Sequence, residues 1–318
     1  MASDAPISYS VSDLPFVGGV SYHLGISAEQ LAPAVLLVGD PERVDLIADR
    51  FLNRPEFRVS HRGLTTCTGI ARETGQRITV TTTGMGAPST EIVLNELAAL
   101  AEVDPQTLTR RSRRNAHLTL IRVGTSGALQ GTTPLGTSIV SSHAVGLDST
   151  AWFYGDGMTL DKTAHSLAAF VHARIEGSLM ERHPSRGKIH PYGAIADTTI
   201  VDALCRAADE CGLDHQIGAT LTASGFFSPQ GRDVSRVPPS VPDLDRLVAH
   251  DPRFLNMDME TAFVLHFCGA LGYRAGALCV AAANRELNTF AENLTDVVLK
   301  AAQTAIVALS KVCSSPRV

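Results

Sequence analysis

The stretch AVLLVGDPERVDLIADRF, residues 34–51, decides the fold class. Ala34 to Val38 form a short unbroken apolar run, the pattern of a buried strand, and the run stops at a Gly39-Asp40-Pro41 turn. Pro41 suits the first position of a helix, where its missing N–H costs nothing. From there Val44, Ile47, Ala48 and Phe51 recur at helical spacing and mark one apolar face. Further along, short β-rich runs keep alternating with helical patterns. Strands are predicted at Phe57–Arg62, Arg77–Thr83, Leu118–Gly124, Thr137–Ser142, Ile217–Phe227 and Ala275–Ala283, and helices in STEIVLNELAALA, KTAHSLAAFVHARI, TIVDALCRAADECG, METAFVLHFCGALG and LTDVVLKAAQTAIVALSKV. Such alternation predicts an α/β fold with a parallel or mixed sheet. No repeat, low-complexity tract or linker divides the 318 residues, so a single domain is expected, with an N-terminal extension over 1–20 and surface elaborations at 104–117 and 155–192.

Composition narrows the function classes. With 27 basic and 32 acidic residues the net charge is −5, which argues against a nucleic-acid coat or a protein spread on an anionic membrane. The arginines of TRRSRRNAH therefore read as a solvated loop. Six cysteines are scattered with no CxxC and no Cys/His clustering, so reduced thiols and no metal site are expected. The acidic N-terminus lacks the pattern of a secretory signal, and no apolar run approaches the roughly 18 residues of a membrane span. A cytoplasmic location is the expectation.

Three Gly-containing turns, VGDPER, TGMGAPS and RVGTSG, each follow a β-type run. In α/β sheets ligands bind where strands end, because loops and helix N-termini present unpaired N–H groups there. Gly39 leaves room for close approach, and Arg43, one turn into the helix, can turn a guanidinium fork toward an oxyanion. Arg122 ends an otherwise apolar strand, where an unpaired charge would cost several kcal/mol, so it needs an anion. The turns together describe an anion pocket.

VGDPERV, SHRGLTT, TTTGMGAPST, LIRVGTSGAL, SGFFSPQGR, MDMET and NREL, spread over most of the chain, resemble in order and context the motifs of the nucleoside phosphorylase superfamily, and uridine phosphorylases most of all. The resemblance implies a three-layer α/β/α sandwich around a central mixed sheet with partial barrel character. It also implies cleavage of a nucleoside's glycosidic bond by inorganic phosphate, a co-substrate, with no cofactor. Gly39, Arg43, Arg122 and Thr125 match phosphate-binding positions, and Arg62 matches an arginine lent by a neighbouring subunit. Met259 would pack under the ribose, Glu260 would take its hydroxyls with Thr125 near by, and His23 of the neighbour would reach the 5′-hydroxyl. Asp258 stands where the family usually has Glu.

At the base, Gln230 and Arg232 resemble the pair that reads a pyrimidine ring, with Phe226, Gly127 and Arg285 around it. Purine enzymes of the superfamily carry an Asp after a late strand, where this chain has Asn284 and Arg285. Uridine, uracil, phosphate and ribose 1-phosphate are the implied ligands. A purine or broad-specificity phosphorylase, a hydrolase using water and a non-catalytic nucleoside-binding or storage protein are the rival readings. A homo-oligomer with shared sites is implied; because Gly63 replaces a Glu used at an ion site in hexameric relatives, a dimer is expected over a hexamer.

Overall fold

The computed structural model describes residues 7–112, 117–154 and 161–314. In chain order the elements are β1 (Phe16–Val17), β2 (Val20–Ser21), β3 (Ala34–Val38), α1 (Pro41–Phe51), β4 (Leu52–His61), β5 (Leu64–Ala71), β6 (Arg77–Thr82), α2 (Ala87–Glu102), β7 (Val103–Asp104) and β8 (Thr109–Arg110). They continue as β9 (Thr119–Ala128), β10 (Ser138–Gly146), α3 (Lys162–Ser178), β11 (Tyr192–Ile195), α4 (Thr198–Cys211), β12 (His215–Thr222), α5 (Leu244–Ala249), β13 (Phe254–Asp258), α6 (Thr261–Ala270), β14 (Arg274–Asn284), β15 (Thr289–Phe290) and α7 (Thr295–Ser314). The strand-turn-helix read from residues 34–51 is present: Pro41 opens α1, and Asp40 caps it by accepting from Glu42 N at 2.9 Å.

Eleven strands join in one mixed sheet, ordered β15-β14-β10-β12-β13-β9-β3-β6-β5-β4 with β11 beside β10. Because β14 also pairs with β9, the strands β9, β14, β10, β12 and β13 close into a ring, and β3, β6, β5 and β4 extend from β9 as an open wing. β3 runs through the middle and is buried on both faces. Its side chains alternate: Ala34, Leu36 and Val38 enter the core beneath α1, α4 and α7, while Val35 and Leu37 enter the core beneath α2 and α6. Two helical layers around a mixed sheet follow from that alternation, so the architecture is the α/β/α sandwich with a partial barrel that the sequence predicts.

Differences from the sequence reading have local causes. The strand expected to reach Phe227 ends at Thr222, because the chain turns through a 3₁₀ segment at Ser228–Gln230 and leaves Phe226 and Phe227 half exposed. The region 155–192, expected as a surface elaboration, holds α3, which buries Leu167, Val171 and Ile175 against the ring; residues 155–160 lie outside the described residues, as do 113–116 of the basic loop. Among the described residues no helix is long and apolar enough to cross a membrane, and no cluster of three or more His, Cys, Asp or Glu is placed to hold a metal ion.

Inside the ring a polar chain links all five strands. Asn256 Nδ2 on β13 donates to Ser126 Oγ on β9 at 2.9 Å, and Ser126 Oγ donates onward to Val280 O on β14 at 3.5 Å. Thr220 Oγ1 on β12 donates to Asn256 Oδ1 at 2.8 Å; its proton being committed, Ser141 on β10 supplies the proton of the 2.7 Å bond between the two hydroxyls. Every donor along the chain therefore points the same way. Asn256→Leu removes both central bonds and takes one partner from each of two buried hydroxyls, so it should lower stability by about 2–4 kcal/mol in urea unfolding. A loss under about 0.5 kcal/mol would mean that the ring does not depend on this chain.

Candidate active site

The cavity opens where β9 changes neighbours. Up to Val123 it pairs with β3, which ends there; from Gly127 it pairs with β13. Between these points Gly124, Thr125 and Ser126 line a cavity of about 1200 Å³. The turns after β3 and β6 and the ends of β13 and β14 converge on the same space, as expected at a change of strand order.

Arg122 organises one side. Its neighbours Ile121 and Val123 face the layer of α1, α4 and α7, so strand alternation turns Arg122 to the opposite face. There its guanidinium folds back over Gly124, where an added Cβ would stand 2.4 Å from Nη1 and 2.8 Å from Cζ. Nη1 lies 3.1 Å from Asp258 Oδ2 and donates to Cys279 Sγ at 2.9 Å, while Nη2 donates to Glu260 Oε2. The anion that the sequence demanded for Arg122 is thus supplied by carboxylates of the MDMET motif. Burial works against the guanidinium's charge, but Cys279, Glu260 and Asp258 outweigh it and hold Arg122 protonated above its ordinary range. Burial pushes the Glu260 carboxyl up, with Arg122 opposing and Asp258 adding.

The partners of these carboxylates are fixed in turn. Asp258 accepts from Thr222 Oγ1 at 2.7 Å and from Thr261 N at 3.2 Å. Glu260 Oε1 accepts from Gly86 N at 2.6 Å, which takes up one of the N–H groups that TGMG was expected to leave free. Gly84 and Gly86 hold φ of +70° and +84°, which only glycine adopts without strain. Arg43 lines the cavity together with Gly39; burial lowers its pKa, Asp40 opposing and Arg122 adding. Two guanidinium groups at one end make a place for an oxyanion, and Glu260 and Met259 border the adjoining space.

The other end suits a flat ring with polar edges. Gln230 is buried, Phe226 is half exposed, and Arg232 lies with Cζ 3.8 Å from the Phe226 ring centroid while Nη1 donates to Gln230 Oε1 at 2.7 Å. Arg285 passes over Gly127 and donates from Nε to Asp245 Oδ2 at 2.7 Å. Asn284 is spoken for: its Nδ2 donates to Gln130 O and Thr133 O.

A family model described as the phosphorylase superfamily matches residues 33–314. The chain belongs to that superfamily. Among its relatives, a uridine phosphorylase of Thermococcus kodakarensis is 31% identical over 275 residues, 86% of this chain and 80% of that protein. One of Haemophilus influenzae is 27% identical over 298 residues, 90% of this chain and 98% of that one. A crystal structure of a Trypanosoma brucei nucleoside phosphorylase described as showing uridine phosphorylase activity superposes with a TM-score of 0.81 at 28% identity, covering 95% of this chain and all of that one.

Within this superfamily member, twelve residues singled out in the sequence line one cavity: Gly39, Arg43, Arg122, Thr125, Gly127, Phe226, Gln230, Arg232, Asp258, Met259, Glu260 and Arg285. Arg62 and His23 do not line it, although Gly63, next to Arg62, does; the two lie close to each other. Arg62 Cζ stands 5.1 Å over the Tyr22 ring, whose edge meets the ring of His23, and His23 Nδ1 is 2.7 Å from Glu96 Oε1. Sequence reasoning missed Gly124, Cys279 and Asp245, since a small residue under a guanidinium and partners from distant strands leave no local pattern. Gly124 has an ordinary negative φ, so Gly124→Ala tests the guanidinium alone: displacing Arg122 from its carboxylates should cost about 2–4 kcal/mol in denaturant unfolding. A near wild-type midpoint would mean that Arg122 has another path open to it.

Proposed function

We propose that this superfamily member is a uridine phosphorylase, converting uridine and phosphate reversibly to uracil and ribose 1-phosphate. The observation that carries this reading is the base end of the cavity, where the Arg232 guanidinium stacks on Phe226 and donates to the buried Gln230 amide. An amide and a guanidinium joined by a hydrogen bond offer the donors and acceptor that the O2, N3 and O4 edge of a uracil ring can use. At this end the buried Asp245 is tied to Arg285 rather than presented to a purine ring. Relatives along nearly the whole chain that carry uridine phosphorylase names support the same substrate.

In this reading phosphate sits against Gly39, Arg43, Arg122 and Thr125, and Met259 and Glu260 hold the ribose. A phosphate oxygen attacks C1′ as the bond from C1′ to N1 breaks, and the electron pair of that bond leaves on the base. Arg232 and Gln230 take up the negative charge that grows on the uracil oxygens, which are groups preorganised for the transition state. Asp258, shorter than the family's usual Glu, anchors Arg122 and stands behind Glu260. No cofactor enters the scheme. Deoxyuridine and related pyrimidine nucleosides fit the same chemistry, and a role in cytoplasmic pyrimidine salvage follows from it.

Two copies would share their sites. Arg62 and His23 lie beside one another outside their own chain's cavity, so a neighbour docking that patch at the cavity mouth would bring a guanidinium to the phosphate and an imidazole to the ribose. This arrangement supports a homodimer.

Two measurements test the proposal. In a phosphate-dependent assay uridine should be cleaved and inosine poorly or not at all, and Arg232→Ala should lower kcat/KM for uridine at least ~10²-fold; preference for inosine would replace the pyrimidine reading with the purine one. The shared site predicts complementation. Arg43→Ala and Arg62→Ala proteins should each be nearly inactive, yet in a mixed dimer one pocket carries both changes and the other neither, so co-refolding should restore about a quarter of wild-type activity. Verified heterodimers without recovery would place both arginines in one chain's pocket.

A further inference from the structure

At the base end of the cavity two guanidinium groups share a space half withdrawn from water. Arg285 follows β14, its stem lying over Gly127, where an added Cβ would stand 3.4 Å from its Cγ. Arg232 lines the same cavity, stacked on Phe226. Like charges so placed repel, and the repulsion grows as water is excluded. The effect is visible on Arg232, whose pKa is lowered to about 10, first by burial and then by Arg285, with Asp245 opposing. Asp245, in α5, is itself buried; one oxygen takes the Nε–H of Arg285 at 2.7 Å and the other accepts from Arg246 N at 3.0 Å. Of the other charges lining the cavity near by, Asp243 and Arg246 are exposed and 3.9 Å apart, and Glu286 accepts from Gly131 N.

We propose that Asp245 is a positioning residue for the reaction: it cancels the charge of Arg285 and holds that side chain to the wall, leaving Arg232 to present the positive charge that meets the departing base. The inference rests on the uridine reading above. It assigns Arg285 a place in the base pocket whose charge is spent on a carboxylate rather than on the substrate. Asp245 touches no reacting atom in this account and acts wholly through the two arginines.

The test compares Asp245→Asn, Arg285→Gln and the double variant for kcat/KM with uridine and with 5-fluorouridine, whose base carries negative charge more easily, and for the KM of phosphate. Asp245→Asn should lose at least about tenfold on uridine and less on 5-fluorouridine, with the phosphate KM within about twofold of wild type. Adding Arg285→Gln should then restore activity at least about threefold over Asp245→Asn alone, because the uncompensated cation is gone. Asp245→Glu, which keeps the charge on a longer stem, should retain at least about a third of wild-type kcat/KM and serves if the Asn variant does not fold. The proposal is overturned by an Asp245→Asn enzyme within twofold of wild type, by losses that multiply in the double variant, by equal losses on both nucleosides, or by an Asp245→Glu loss as large as that of Asn. Failure of the uridine reading itself would show in the wild-type protein, before any variant is compared.

Discussion

A charged guanidinium buried in a sheet core is costly unless its partners are fixed before it arrives, and Arg122 is such a group. Its partners come from β13 and the turn after it, namely Asp258 and Glu260, and from Cys279 on β14. Satisfying it therefore ties β9 to the two strands that complete the ring. Glu260 passes the constraint on by holding Gly86 at the start of α2, and Asp258 does so through Thr222 at the end of β12. The geometry of the cavity and the closure of the sheet rest on one cluster. Asp258 and Glu260 already balance the charge of Arg122, so in the proposed site a phosphate would share this guanidinium with two carboxylates and Arg43 would supply the less committed charge.

The break in pairing along β9 serves the cavity in a second way. A continuous sheet would bond its backbone groups to neighbours on both sides, but Gly124 to Ser126 fall between the end of β3 and the start of pairing with β13. Glycine at 124 and 127 keeps side-chain bulk away where one arginine folds back and another crosses. The polar chain through Asn256 stiffens the ring just behind this wall, so the lining residues on β9 project from a framework while the turns supply the rest.

The fold was readable because its signals are periodic and local. The apolar run at 34–38, the Pro41 helix start and the helical faces of α2, α4 and α7 depend on neighbours within a few residues. Strand β13 went unpredicted, since FLNMD places Asn256 and Asp258 where an apolar run would be sought; both are buried because partners from other strands pay for them. The site was legible through glycine turns and arginines at strand ends, and through their likeness to a known family. What stayed hidden is whatever depends on distant segments meeting: the carboxylates under Arg122, the tether on Arg285, and the engagement of Gly86 by Glu260.

The ring also sets when a working pocket can exist during synthesis. Its closing strand, β14, spans residues 274–284 and pairs with both β9 and β10, which emerge far earlier. The open wing and β9 can pair among themselves as the first half of the chain appears, whereas the ring must wait for a strand separated from β9 by more than half the chain's remaining length. Contacts that distant in sequence slow folding, because loop closure precedes any reward. Until β14 docks, Arg122 lacks Cys279, the polar chain lacks its final acceptor, and one edge of β9 stays unpaired. Until then the chain is a nascent sheet with an open edge, and the cavity lacks the wall that the end of β14 supplies.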